Sequence, residues 1–427
     1  MRVAVVGAGI AGLTAALGLA RSGAEVVVFE GSDRIGGKLR LAEVGGLTVD
    51  VGAESILARR PEGIDLMIQA GLDDDITHPS GLPAQLWSRG RLEPIPPSVL
   101  GVPAEGSSTP VEVPDGDVSV AEFVAAAVGR DVVDRYVEPL LGGVYAGHAD
   151  RLSLRAAAPQ VLALAPDLVA GAAAQRAAAS STPVFAGLRG GVGRLPLAIA
   201  ALGEFEIRLN STVRFLETSS DGWSVAGESF DAVVLAAPAP AAARLLAGVA
   251  PDAAFALAGV DYASVAIATF VLEGAALPET TGFLVPPIDG TAIKASTFST
   301  RKWPWLAEAA GDRHVVRASL GRAGETSLLQ RSDDEVLALA LADLQSAVSG
   351  TGALGTVVDS HVQRWGGALP QYEVGHLDLV ATVERSVAAV PGLEVCGAAY
   401  RGMGIAAVVA SANAAAGRVA TMGRMGS

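Results

Sequence analysis

Short apolar runs broken by glycine open the chain. Arg2–Val6 (RVAVV) is a β-branched run of the kind that forms a parallel strand buried on both faces. After the turn Gly7-Ala8-Gly9-Ile10-Ala11-Gly12, residues Leu13, Ala16, Leu17 and Ala20 recur at helical spacing, and Gly23 marks the stop. Glu25–Phe29 (EVVVF) predicts a second strand that runs into Glu30. Strand, glycine turn, helix, strand and acid, in that order, predict a dinucleotide site. Gly7 permits the tight turn, Gly9 lets the backbone approach a pyrophosphate, and Gly12 lets the helix lie close to the strand. The helix N-terminus presents free N–H groups to the phosphates, with Ile10 and Ala11 in its first turn. Glu30, followed by Gly31, is placed to accept hydrogen bonds from ribose hydroxyls.

Beyond residue 54 the pattern becomes a succession of helical stretches, Pro/Gly segments and short strands. Residues 98–117 read as a loop, rich in Pro, Gly and Ser. Residues 118–128 and 132–141 have helical spacing, and 156–179 form an alanine-rich tract expected to be helical. These helices are expected to cover a substrate cavity. The glycine-rich segment 190–196 precedes a helix, the strand segment 207–215 and a buried strand at 231–238. Alternation over 263–285 and 315–320 predicts antiparallel strands of a second sheet. Asp333–Val348 reads as an amphipathic helix. Residues 393–396 are a strand, followed by a glycine loop and a small-residue helix from about Ala407.

Length and composition limit the possibilities. A chain of 427 residues exceeds what one hydrophobic core sustains, so several cores are expected. Half the residues are apolar, but many are alanine, and no run of roughly 20 strongly apolar residues predicts a membrane span. The net charge of −14 opposes binding to nucleic acid or to anionic lipid. Cys396 is the only cysteine, which excludes an internal disulfide and fits a reducing, cytoplasmic setting. The five histidines lack metal-ligand spacing, so no metal is expected. The first twenty residues also have features of an export signal, but their glycines fall at phosphate-loop spacing, and cleavage would destroy the nucleotide site.

The dinucleotide pattern alone fits FAD or NAD. The turn Ser32-Asp33-Arg34-Ile35-Gly36-Gly37-Lys38 and the segment 46–54 (GLTVDVGAE) resemble the DRxGG turn and DxGA segment of the flavin amine oxidase superfamily. That resemblance implies FAD, with Arg34 at the diphosphate and Gly36, Gly37 and Lys38 along the flavin side. It also places Gly52, Ala53, Glu54 and Trp365 at the cofactor, and the backbone of Val213 against the adenine. Adjacent glycines let backbone N–H groups approach a cofactor, and an arginine offsets phosphate charge. Gly397, Tyr400, Gly404, Ile405 and Ala406, in the last glycine loop and helix N-terminus, are expected at the pyrimidine or ribityl portion.

The implied fold is α/β, a Rossmann-like FAD-binding domain of flavin amine oxidase type with an inserted mixed-sheet substrate domain and a helical domain. The FAD-binding part is expected over 1–58, 190–245 and 366–427, the substrate part over 59–97 and 246–365, and the helical domain over 98–189.

Four further motifs narrow the resemblance. These are 139–147 (PLLGGVYAG) with Arg151-Leu152-Ser153, then 369–372 (LPQY) with Gly375-His376, then 397–405, and 294–298 (KASTF) with Lys302-Trp303-Pro304. Together they are similar to the protoporphyrinogen and coproporphyrinogen oxidase branch along nearly the whole chain. The resemblance implies FAD-dependent, six-electron oxidation of coproporphyrinogen III to coproporphyrin III in haem biosynthesis, with O2 as acceptor and H2O2 as by-product. Protoporphyrinogen IX is the alternative substrate. Arg59 and Arg60 are candidates for the substrate carboxylates, and Tyr145, Phe298 and Met403 for an apolar macrocycle wall. No catalytic acid or base is assigned. Contact with a downstream chelatase stays open, and membrane association is expected to be peripheral at most. The 98–117 segment is shorter than in the family, which leaves the substrate entrance open. An amine oxidase, a carotenoid desaturase and a flavin-binding protein without turnover remain rival readings.

Overall fold

The computed structural model describes residues 1–179, 182–219 and 222–425. Its nucleotide-binding half is built on five parallel strands. β1 (Arg2–Val6) lies at the centre, between β2 (Glu25–Phe29) and Ala232–Leu235, with Glu206–Arg208 and Leu393–Val395 at the edges. Val3, Ala4 and Val5 are fully buried, which is why β1 is an unbroken apolar run rather than an alternating one. α1 (Ile10–Arg21) packs on one face against the final helix, Ile405–Met425, with Gly18 giving room for Ala416.

The strands of this sheet come from three separated stretches, so the chain leaves it and returns twice. One boundary differs from expectation. Helix Pro251–Ala258, assigned from sequence to the substrate part, packs with Ala239–Leu246 and His376–Ala388 under the parallel sheet, where Ala253 and Leu257 share a core with Val233 and Leu235.

The second sheet has seven strands in the order Thr356–Pro370, Tyr262–Glu273, Arg313–Leu320, Ile293–Phe298, Gly282–Leu284, Gln85–Ser88 and Arg91–Pro94. Alternation divides its faces. Ala266, Phe270, Val316 and Leu320 pack on helix Asp333–Val348, whose start is fixed by a capping box between Ser332 and Glu335.

The alanine-rich tract is not one helix. It divides into Leu154–Ala157, Pro159–Leu162 and Leu168–Ala177. Pro159 opens a new turn and Pro166 lies between the last two pieces, where a ring without an N–H cannot continue a helix. The 207–215 segment is strand only through Arg208, and Asn210 then turns the chain at φ 52°. By length and composition, Ile405–Met422 is apolar enough to cross a bilayer, although its Val409, Ala412, Ala415 and Val419 are buried in the core against α1.

Candidate cofactor and substrate site

The β1–α1 turn works by close approach. A Cβ on Gly12 would stand 1.8 Å from the Gly7 carbonyl oxygen, so only glycine lets the helix start there. At Gly9 a Cβ would meet nothing within 4 Å, because this position faces open space. Gly7 donates its N–H to the Phe29 carbonyl at 2.8 Å, and Gly36 donates to Ala8 at 2.8 Å, which docks the arginine-bearing turn against the phosphate loop. Glu30 stitches the same elements together. One carboxylate oxygen accepts from the Ala8 N–H at 2.8 Å, and the other accepts from the Ser32 N–H and hydroxyl at 2.9 and 2.8 Å.

The open space is a cavity of about 1140 Å³ lined by both halves of the molecule. From the nucleotide half come Gly7, Gly9, Ile10, Ala11, Glu30, Gly31, Arg34, Gly36, Gly37, Lys38, Gly52 and Ala53, with Val213, Gly397, Met403 and Ile405. Trp365 lies on the long strand that closes the other side, and its indole N–H donates to the Val51 carbonyl at 3.0 Å. The segment that leads to Val213, expected at the adenine, is held in place by two backbone bonds, Asn210 N–H to Ser32 at 2.8 Å and Ser211 N–H to Glu30 at 2.7 Å.

The charges in this cavity fit a diphosphate. Arg34 bonds only to backbone carbonyls of Ile35 and Gly37 and stacks 5.7 Å from Trp365, with no carboxylate against it among the described residues. Burial, then repulsion from Arg40, lowers its pKa. Burial alone lowers that of Lys38. Two desolvated cations beside the N-terminus of α1 make an anion site.

Several expected residues stand outside the lining. Gly12 acts through packing, as described. Glu54 is half-buried and pairs with Lys302 Nζ at 2.6 Å and with Arg317, so its carboxylate joins the two halves of the protein. Tyr400 is buried, its hydroxyl has no partner among the described residues, and its carbonyl contacts His376 Nε2 at 2.7 Å. Gly404 and Ala406 belong to the start of the last helix, whose Ile405 alone among the three lines the cavity. Arg59 and Arg60 precede helix Pro61–Gln69, and Arg60 turns outward to Glu62 at 3.0 Å. Tyr145 donates to the Ala157 carbonyl at 3.3 Å and packs on Tyr372, while Phe298 packs on Phe283. Both belong to interior clusters, the common fate of large aromatics. The structure adds Arg244, Lys294, Ile267, Ser319 and Leu369 to the wall.

Residues 10–420 match the family model described as flavin containing amine oxidoreductase. The chain belongs to the flavin-containing amine oxidoreductase family. It is therefore a flavin-dependent oxidoreductase, and FAD is its cofactor. Within this family it is 37% identical to a coproporphyrinogen III oxidase of Mycobacterium tuberculosis over 96% of this chain and 95% of the relative. It is 28% identical to the coproporphyrinogen III oxidase of Bacillus subtilis, covering 94% of each. A crystal structure named "Putative protoporphyrinogen oxidase", from Exiguobacterium, superposes with a TM-score of 0.88 at 28% identity, covering 99% of both chains.

Proposed function

We propose that this flavoprotein oxidises coproporphyrinogen III to coproporphyrin III in haem biosynthesis. The observation that carries the reading is likeness sustained from end to end, 37% identity over 96% of the chain to a relative of that activity. The cavity has the right character for a large apolar ring, with Val265, Ile267, Leu369 and Met403 in a wall that continues into the cofactor cleft. When bound, FAD supplies two-electron oxidation of a macrocycle carbon bridge in each of three rounds and returns the electrons to O2 as H2O2. The chain's own part is placement. Arg34, Lys38 and the α1 N-terminus fix the diphosphate, Glu30 fixes the ribose, and Trp365 closes the cleft beside the flavin. No side chain is assigned the pyrrole N–H proton, which passes to water.

The test is aerobic turnover of FAD-loaded protein with coproporphyrinogen III and protoporphyrinogen IX in parallel, read by porphyrin fluorescence and H2O2 against an enzyme-free control. Faster oxidation of the coproporphyrinogen, with three H2O2 per porphyrin, supports the reading. Preference for protoporphyrinogen IX makes that porphyrinogen the substrate in its place. No rate above the control overturns the reading.

A further inference from the structure

The strand Ile293–Phe298 pairs with Arg313–Leu320, but the register shifts between Ile293, opposite Leu320, and Ala295, opposite Ser319. Lys294 is the extra residue of this bulge. Bulges re-aim side chains, and here the side chain contributes to the cavity wall beside Ser319 and Ile267. Lys294 is only 6% exposed, yet among the described residues its ammonium has no hydrogen-bond or ion-pair partner.

The groups around it deepen this imbalance. Val285 donates its N–H to the Lys294 carbonyl at 2.9 Å and accepts from Arg322 at 3.5 Å, so a second buried cation stands close by. Arg322 has its own loose pairing with Glu325, at 3.7 Å. Glu138, on the neighbouring helix Glu138–Tyr145, commits one oxygen to the Ala149 N–H at 2.6 Å and the other to His148 at 3.1 Å. Burial, with Arg322 adding repulsion, pulls the Lys294 ammonium down to about 7. A buried cation in this condition is stabilised by an anion brought from outside.

Resting on the porphyrinogen reading of the cavity, we propose that Lys294 binds one carboxylate of the substrate and selects a tetracarboxylate macrocycle over a dicarboxylate one. Coproporphyrinogen III carries four propionates, whereas protoporphyrinogen IX has vinyl groups in place of two of them. A vinyl group leaves the ammonium unpaired, and a site built for a polar partner rejects the analogue that lacks it.

The test is binding of coproporphyrin III and of the dicarboxylate mesoporphyrin IX to FAD-loaded wild type, Lys294→Met and Lys294→Arg, read by fluorescence quenching. Lys294→Met should weaken coproporphyrin III about 10- to 100-fold, the range expected for a charge-assisted bond, and leave mesoporphyrin IX and flavin content unchanged. Lys294→Arg should restore most of the discrimination. Equal weakening of both porphyrins, no weakening of either, or loss of FAD from Lys294→Met would overturn the assignment. Lys294-dependent binding in a protein that turns over no porphyrinogen would uphold the assignment and contradict the proposed catalysis instead.

Discussion

Lys302 Nζ lies 2.6 Å from Glu54 Oε1, and Arg317 holds the other oxygen of the same carboxylate. Glu54 follows the second flavin motif of the nucleotide half, whereas both cations belong to the opposite half, so one charged triad ties the walls of the cavity together. Burial raises the pKa of Glu54, but Lys302 and Arg317 outweigh it and hold the group at about 2.

A depressed carboxylate pKa contributes stability that is complete above its unfolded value, near 4.5, and lost as the pH falls through the folded value. Glu54→Gln leaves buried Arg317 and half-buried Lys302 underpaired and should cost about 3–5 kcal/mol at neutral pH. Denaturant titrations should show that deficit constant in the neutral range and shrinking below about pH 4.5. A deficit that stays constant into acid would show that the triad is not what Glu54 contributes.

Gly9→Val should leave the apoprotein folded, because the added side chain enters empty space, and should abolish FAD retention, because that space is the phosphate's. Gly12→Ala should act differently and lower the melting temperature, since its Cβ collides with the Gly7 carbonyl. Melting curves with flavin content separate the two, and normal flavin in Gly9→Val would refute the account of the loop.

The β1–α1–β2 unit was readable because a parallel strand buried on both faces writes itself as a continuous apolar run, and the glycines report contacts made within a few residues. The 156–179 tract misled because alanine favours helix whatever its neighbours, while Pro159 and Pro166 set the breaks. Arg59 and Arg60 follow the flavin segment in chain order, but the start of helix Pro61–Gln69 carries Arg60 outward to Glu62. Lys294 was invisible as a site residue for the opposite reason. A lone lysine in an alternating strand reads as solvent-facing, and its burial depends on a bulge and on a helix far away in sequence.

Arg34→Ala should weaken FAD binding about 10- to 100-fold, the scale of charge-assisted bonds to phosphate, without lowering apoprotein stability. Arg34→Lys should recover only part of the loss, because a lysine cannot reproduce the forked bonds to the Ile35 and Gly37 carbonyls together with the stacking on Trp365. Flavin titration of the apoproteins checks both, and unchanged affinity in Arg34→Ala would remove Arg34 from the cofactor site.

Cys396 is fully buried just after the edge strand Leu393–Val395, and burial pushes its thiol up to about 12. The native protein should resist thiol reagents and become labelled only on unfolding. Rapid stoichiometric labelling under native conditions would contradict the packing of that strand.

The most direct measurement is anaerobic mixing of FAD-loaded protein with coproporphyrinogen III, following flavin absorbance and porphyrin fluorescence together. The account predicts loss of the oxidised flavin spectrum in one two-electron round before oxygen is present, and return of that spectrum with H2O2 and full porphyrin fluorescence over three rounds when oxygen is admitted. Flavin that stays oxidised with coproporphyrinogen III, but is bleached by a simple amine, would contradict it.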